Sequence, residues 1–225
     1  PVTEAVSIGN TVVVGFGDGK IRFFKPDQKP HDIQAHSGVI LCMVRAEDYI
    51  LTGGDDGRFL QISMDGEIEE IANFGSRWVD SVAAYKGDRV CSSDKVVYLW
   101  SKENEKKSFT HQSTISGVTF SPSGKHLAVS RYGGVTVWRR GKNKWSSSNY
   151  SWKGSHGKVT FSPNGKYLVT SMQENQLHGW RLNDKADLAM SGYPAKIKSF
   201  NWVGDTPYLV TSGASEAVCW PFDGK

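Results

Sequence analysis

The chain has 225 residues, of which 38% are apolar, 22% charged and 12% aromatic, and its net charge is +4. That composition excludes a disordered chain, which has fewer apolar residues and more net charge. No apolar run approaches the roughly 20 residues that span a bilayer, and no charged-then-apolar segment of signal type opens the sequence.

Taken in chain order, the sequence predicts short strands joined by turns. "EAVSIG" at 4–9 reads as a strand. "GFGDGK" at 15–20 is a hairpin turn; it lacks the GxxxxGK[ST] spacing and the following helix of a phosphate loop. "DGKIRFF" follows and ends at Phe24, "DGRFLQI" ends at Ile62, and "KVVYLW" ends at Trp100. "GGVTVW" then ends at Trp138, "NQLHGW" at Trp180 and "SEAVCW" at Trp220. The series 24, 62, 100, 138, 180, 220 has intervals of 38, 38, 38, 42 and 40 residues. A fixed period of this length is the mark of a repeat architecture. "FSPSGKHLAVS" at 120–130 and "FSPNGKYLVTS" at 161–171 are two copies of one hairpin start. Within 114–146, "TISGVTF", "HLAVS" and "VTVWR" read as three strands separated by the turns "SPSGK" and "RYGG", and "KNKWSSSNYSW" suits an exposed fourth. No segment has a convincing helical period over 11 or more residues. Four short strands per repeat of about 40 residues describe a β-propeller blade.

At this point the chain resembles the WD-repeat (WD40) propellers. Asp94 to Trp100 has that family's spacing of six between turn Asp and third-strand Trp. His111 stands nine residues before Phe120, as the family's "GH" His does, and Ala35-His36 and "TGGDDG" at 52–57 are also similar. The resemblance implies an all-β propeller of four-stranded antiparallel blades, with residues 1–225 as a single domain. Six repeats are visible, and the last ends after its third strand, so the chain is expected to be a six-bladed ring or part of a seven-bladed one. In the family, His, Ser or Thr, Asp and Trp brace each blade through a buried hydrogen-bond chain. Here His36, Thr52 and Asp56 are present but Ile62 replaces the Trp, while Trp152 and Tyr193 occupy the His position of later repeats. The Trp series is expected to be buried between blades.

Catalytic residue types are present without catalytic spacing. The six His form neither HxH nor HExxH, GxSxG is absent, and "DDG" at 55–57 supplies too few oxygens for calcium. No cofactor and no metal is therefore expected. Cys42, Cys91 and Cys219 lie far apart without a CxxC pair and read as free, widely separated small hydrophobes, which suits a reducing, cytoplasmic setting. Lys and Arg are scattered; the short run Arg139, Arg140, Lys142 and Lys144 reads as a solvated turn rather than the clustered basic face of a nucleic-acid binder.

The resemblance implies a non-catalytic scaffold that binds a protein or peptide on one face. The alternatives are a propeller-type hydrolase with a site at the channel mouth, or a nucleic-acid-associated adaptor. Candidate partner-binding residues are the Arg and aromatic side chains at turns: Arg77 and Trp78 in "GSRWVD", Arg131 and Tyr132 in "SRYGG", Trp152 in "SWKGSH", Glu174 in "QENQ" and Tyr193 in "SGYP".

Overall fold

The computed structural model describes residues 1–142 and 144–222. Among them every regular element is a β-strand. The first sheet contains β1 (Val2–Ile8), β2 (Thr11–Phe16), β3 (Lys20–Phe24) and β4 (His31–Gln34), in that order. The second contains β5 (Ile40–Arg45), β6 (Tyr49–Gly54), β7 (Arg58–Ser63) and β8 (Ile68–Asn73). The third contains β9 (Ser81–Tyr85), β10 (Asp88–Ser93), β11 (Val96–Trp100) and β12 (Lys106–Thr110). The fourth has six strands: β13 (Ile115–Phe120), β14 (His126–Arg140), β15 (Trp145–Phe161), β16 (Tyr167–Met172), β17 (Leu177–Arg181) and β18 (Asp187–Met190). The fifth has three: β19 (Phe200–Trp202), β20 (Tyr208–Thr211) and β21 (Val218–Pro221). The chain divides into two compact units, Pro1–Ile115 and Ser116–Lys225.

Five sheets replace the six blades expected from the repeats, and the cause is local. β14 doubles back on itself: the Arg140 amide donates to the Lys125 carbonyl, and the chain reverses near Gly133 and Gly134, whose φ angles are 86° and 131°. β15 then serves two repeats. Its first half pairs with β14 from Arg140↔Trp145 to Gly134↔Ser151, and its second half pairs with β16 from His156↔Met172 to Phe161↔Leu168. The fourth and fifth repeats therefore share one sheet.

The duplicated sequence does produce a duplicated turn. In each copy a Ser carbonyl accepts from the amide of a Gly three residues on, Ser121 from Gly124 and Ser162 from Gly165, both at 2.8 Å. Both glycines sit at φ 67°, which side chains disfavour. The Ser hydroxyl then accepts from the first strand amide, His126 in one copy and Tyr167 in the other.

Core clusters lie where sheets face one another within each unit. Ile21 and Phe23 of the first sheet pack with Ile40, Ile50, Leu60 and Ile62 of the second. Leu51 and Phe59 of the second pack with Val82, Cys91 and Trp100 of the third, and the Phe59 and Trp100 rings are 5.5 Å apart. In the second unit Trp180 packs with Val135, Val137 and Tyr150, and Leu209 and Phe222 pack with Tyr167, Val169 and Met190.

The period-40 series divides under this packing. Ile62, Trp100 and Trp180 are buried, Trp138 and Trp220 are half-buried, and Phe24 is 39% exposed. The expectation that the Trp series is buried holds at Trp100 and Trp180 and is corrected at Trp138 and Trp220, which keep part of their surface exposed; Phe24 lies outside that expectation. The neighbouring Phe23 faces the second sheet, so strict alternation along β3 turns Phe24 to the other side. No disulfide joins Cys42, Cys91 or Cys219 among the described residues, but Cys42 packs against the cluster that holds Cys91 rather than lying far from it.

Burial sets the expected cost of truncation. Trp180→Ala should destabilise the protein by about 3–5 kcal/mol, the range for a large aromatic lost from a core. Trp138→Ala should cost clearly less. Urea unfolding of both variants checks the order, and equal losses would contradict the packing described.

Candidate functional site

The second unit gathers four of the sequence-predicted residues at one end of its six-stranded sheet. Tyr132 sits at the reversal of β14 and pairs with Ser155, whereas Gly134 pairs with Ser151. Residues 152–154 are thus the extra residues of a bulge, a feature that re-aims side chains. Trp152 is the first of them. Its ring stacks on His178 of β17, with centroids 3.9 Å apart and planes 17° apart. Its carbonyl accepts from the ring of His156, 3.0 Å away. With Nε2 of His156 donating there, Nδ1 accepts from the Thr170 hydroxyl at 2.8 Å. Trp152 is held by its ring and by its backbone, yet it remains 37% exposed.

Around this clamp lie Arg131, Tyr132 and Glu174. Tyr132 is 59% exposed, and the Arg131 guanidinium donates to its carbonyl at 3.0 Å. Glu174 is exposed on the turn between β16 and β17, which is tied to the bulge by the Gln173 amide donating to the Ser155 carbonyl. Gly154 allows the two to approach: a Cβ there would lie 2.6 Å from the Met172 methyl and 3.2 Å from the Glu174 carboxylate, and φ is 128°.

The other three candidates fall elsewhere. Arg77 and Trp78 belong to the first unit; Trp78 is 56% exposed beside fully buried Val79, and the Arg77 guanidinium lies 5.9 Å from the Phe74 ring centre. Tyr193 is buried. Its hydroxyl bonds Thr211 at 2.6 Å and accepts from the Trp220 indole, so it braces the fifth sheet rather than facing solvent.

The residue-counting that put Trp152 at the brace position is corrected in the same way: His156 makes the bond to the buried Thr, because the bulge inserts residues between them. In the first unit the expected brace is present. His36 bonds Asp56 and Thr52, each at 2.9 Å, and Ile62 packs where the Trp is missing. Burial lowers the His36 pKa. Burial also works to raise that of Asp56, but hydrogen bonds from His36 and from the Ser37 and Arg58 amides outweigh it and hold the carboxyl below its ordinary value.

His178 carries no signal in the sequence and is the most unusual group here. It is fully buried, and neither ring nitrogen has a hydrogen-bond partner among the described residues. Burial, with His156 nearby, lowers its pKa to about 4. It acts as a neutral aromatic plate between Trp152 and Trp180, whose ring meets it edge-on at 4.7 Å. No group of three or more His, Cys, Asp or Glu side chains is placed to hold a metal among the described residues. No helix among them is long and apolar enough to cross a membrane.

Residues 103–139 match the family model of the WD domain, G-beta repeat. The matched segment includes His111, the turn residue Tyr132 and Trp138, the last of which belongs to the repeat series found above. A search of curated proteins returns no match.

The buried neutral His178 sets a pH dependence. Its folded-state pKa is depressed below the ordinary 6.5, so the unfolded chain takes up the proton first as pH falls. The stability it contributes is complete above about pH 6.5 and declines as pH drops toward about 4. At pH 5 the loss from this group should be on the order of 2 kcal/mol relative to pH 7. His178→Phe keeps a ring under Trp152 and removes the proton site. Its stability, measured by urea unfolding, should fall less between pH 7 and pH 5 than that of the parent; parallel losses would show that His178 is not the titrating group.

Proposed function

With a WD-repeat β-propeller supported by that match and by the succession of small antiparallel sheets, we propose that the chain is a non-catalytic scaffold that binds a protein or peptide. The contact surface is the patch of Tyr132, Trp152, Arg131 and Glu174 in the second unit. The observation that carries this reading is the fixed yet exposed Trp152, clamped by His178 and by His156. An aromatic side chain that is already immobilised gives up little conformational freedom when a partner covers it. Tyr132 adds a second exposed aromatic on a tight glycine turn, and Arg131 and Glu174 supply charges of both signs for a polar rim. Such a surface suits an extended peptide with an apolar anchor flanked by mixed charge. Arg77 and Trp78 offer a contact of the same chemical kind on the first unit, and a cytoplasmic setting remains the proposed location.

The test is selection of a displayed peptide library on the intact protein, followed by affinity measurement with surface variants. Tyr132→Ala combined with Glu174→Lys changes two exposed side chains and should leave melting unchanged. Binding of the selected peptides should weaken tenfold or more, the scale of one interface hot spot. Undiminished binding by the folded double variant would move the contact off this patch.

A further inference from the structure

The opposite end of the fourth and fifth repeats holds a cavity of about 600 Å³. It opens at the end of β16 where Tyr167 pairs with Arg181, whereas the Trp152 patch lies beyond the other end of that strand. The two are separated by the length of six strand residues, about 17 Å. The cavity floor is apolar and aromatic: Val137, Tyr150, Tyr167 and Phe222 all line it and are otherwise buried. Tyr167 and Phe222 meet edge-to-face with centroids 5.1 Å apart, which fixes one wall.

The polar part of the lining is one-sided. Among the described residues it consists of His126, Asn164, Lys166, Arg181 and Asn183, with no Asp or Glu. Asn164 belongs to the duplicated turn. Its Oδ1 accepts from the Ser162 hydroxyl at 2.7 Å and from the Lys166 amide at 3.0 Å, so its NH2 is what it has left to offer a ligand. Arg181 is oriented by Asp184 through Nε and Nη2, which leaves Nη1 outside that pair. Further positive charge surrounds the lining. Lys125 and Arg139 act on His126, and the Lys185 ammonium lies 5.2 Å from the Tyr150 ring centre. A cavity of this size, with an apolar aromatic floor and a rim of donors and cations, suits an anion carried on an aromatic body.

We propose that this cavity binds a phosphate monoester carried on an aromatic or heteroaromatic ring, the ring against Tyr150, Tyr167 and Phe222 and the phosphate toward Lys166, Asn164 and Arg181. A phosphate dianion matches two cationic side chains and an amide donor better than a single carboxylate does, because it presents three acceptor oxygens. The same chemistry occurs in a free nucleotide and in a phosphorylated tyrosine.

Calorimetric titration of the intact protein with AMP and with O-phosphotyrosine distinguishes the sources, with adenosine and tyrosine as the dephosphorylated controls. At least one phosphate ester should bind ten times or more tightly than its control and raise the melting temperature; the tighter of the two identifies the source. Lys166→Glu should weaken that binding at least tenfold, and Lys166→Arg should retain it. Lys166 is exposed, so neither variant should disturb folding, and Asn183→Asp places a negative charge at a second position on the rim. Phosphate esters that bind no better than their controls, or binding indifferent to both Lys166→Glu and Asn183→Asp, would overturn the assignment.

Discussion

The whole chain depends on one constraint: a sheet of three to six short strands has to bury a face against a neighbouring sheet. Three or four strands of about five residues expose too much backbone and apolar surface to persist alone. Facing layers solve this within each unit. Phe59 on one sheet meets Trp100 on the next, and Trp180 meets Tyr150 across the fourth and fifth repeats. A Trp at such a position buries on the order of 150–250 Å², far more than one hydrogen bond can match in net stabilisation. The aliphatic Ile62 can therefore stand where a Trp is expected, provided that it is sealed by neighbours such as Ile50 and Leu60.

The polar braces adapt to that packing rather than dictating it. Thr52, Thr170 and Thr211 are each buried on the second strand of a repeat, and each hydroxyl has a side-chain partner. The partner varies. His36 reaches both Thr52 and Asp56, His156 reaches Thr170 and a backbone carbonyl, and Tyr193 reaches Thr211 and the Trp220 indole. The physical requirement is satisfaction of a buried hydroxyl, and several residue types meet it. A chain under that rule keeps its repeat spacing while its brace residues diverge.

This is why the strands and turns were legible in the sequence and the sheet count was not. Alternation along "KVVYLW" and the two copies of the Ser-Pro-polar-Gly-Lys turn are local signals, and local hydrogen bonds realise them. Fusion of the fourth and fifth repeats depends on whether Ser151–Ser155 breaks or continues a strand, a question of register that no periodicity answers. The same bulge defeated residue-counting at Trp152 and hid the role of His156. Of the candidate contacts, exposed Tyr132 and Trp78 were recognisable as aromatics at turns. Tyr193 shared that signature but lies against a buried Thr on another strand, a long-range contact that its turn context cannot reveal. His178 resembled an ordinary strand residue because nothing in "NQLHGW" announces a Trp from the preceding repeat above its ring.

β16 shows how one scaffold element can serve two unrelated surfaces. All six of its residues are buried, and its alternation feeds two different clusters: Leu168 packs with Trp180 and Tyr150, while Tyr167 and Val169 pack with Leu209 and Phe222. A strand held on both faces is stiff, so whatever hangs from its ends inherits a fixed position. At one end Thr170 bonds His156, whose other nitrogen fixes the Trp152 backbone. At the other end the Tyr167 amide donates to the Ser162 hydroxyl of the duplicated turn, and the Tyr167 ring lines the cavity floor. The repeat thus supplies rigidity from its buried middle and leaves chemistry to its ends. The exposed side chains beyond either end, such as Tyr132 and Lys166, take no part in those buried contacts, which is the condition under which surface residues are free to specialise.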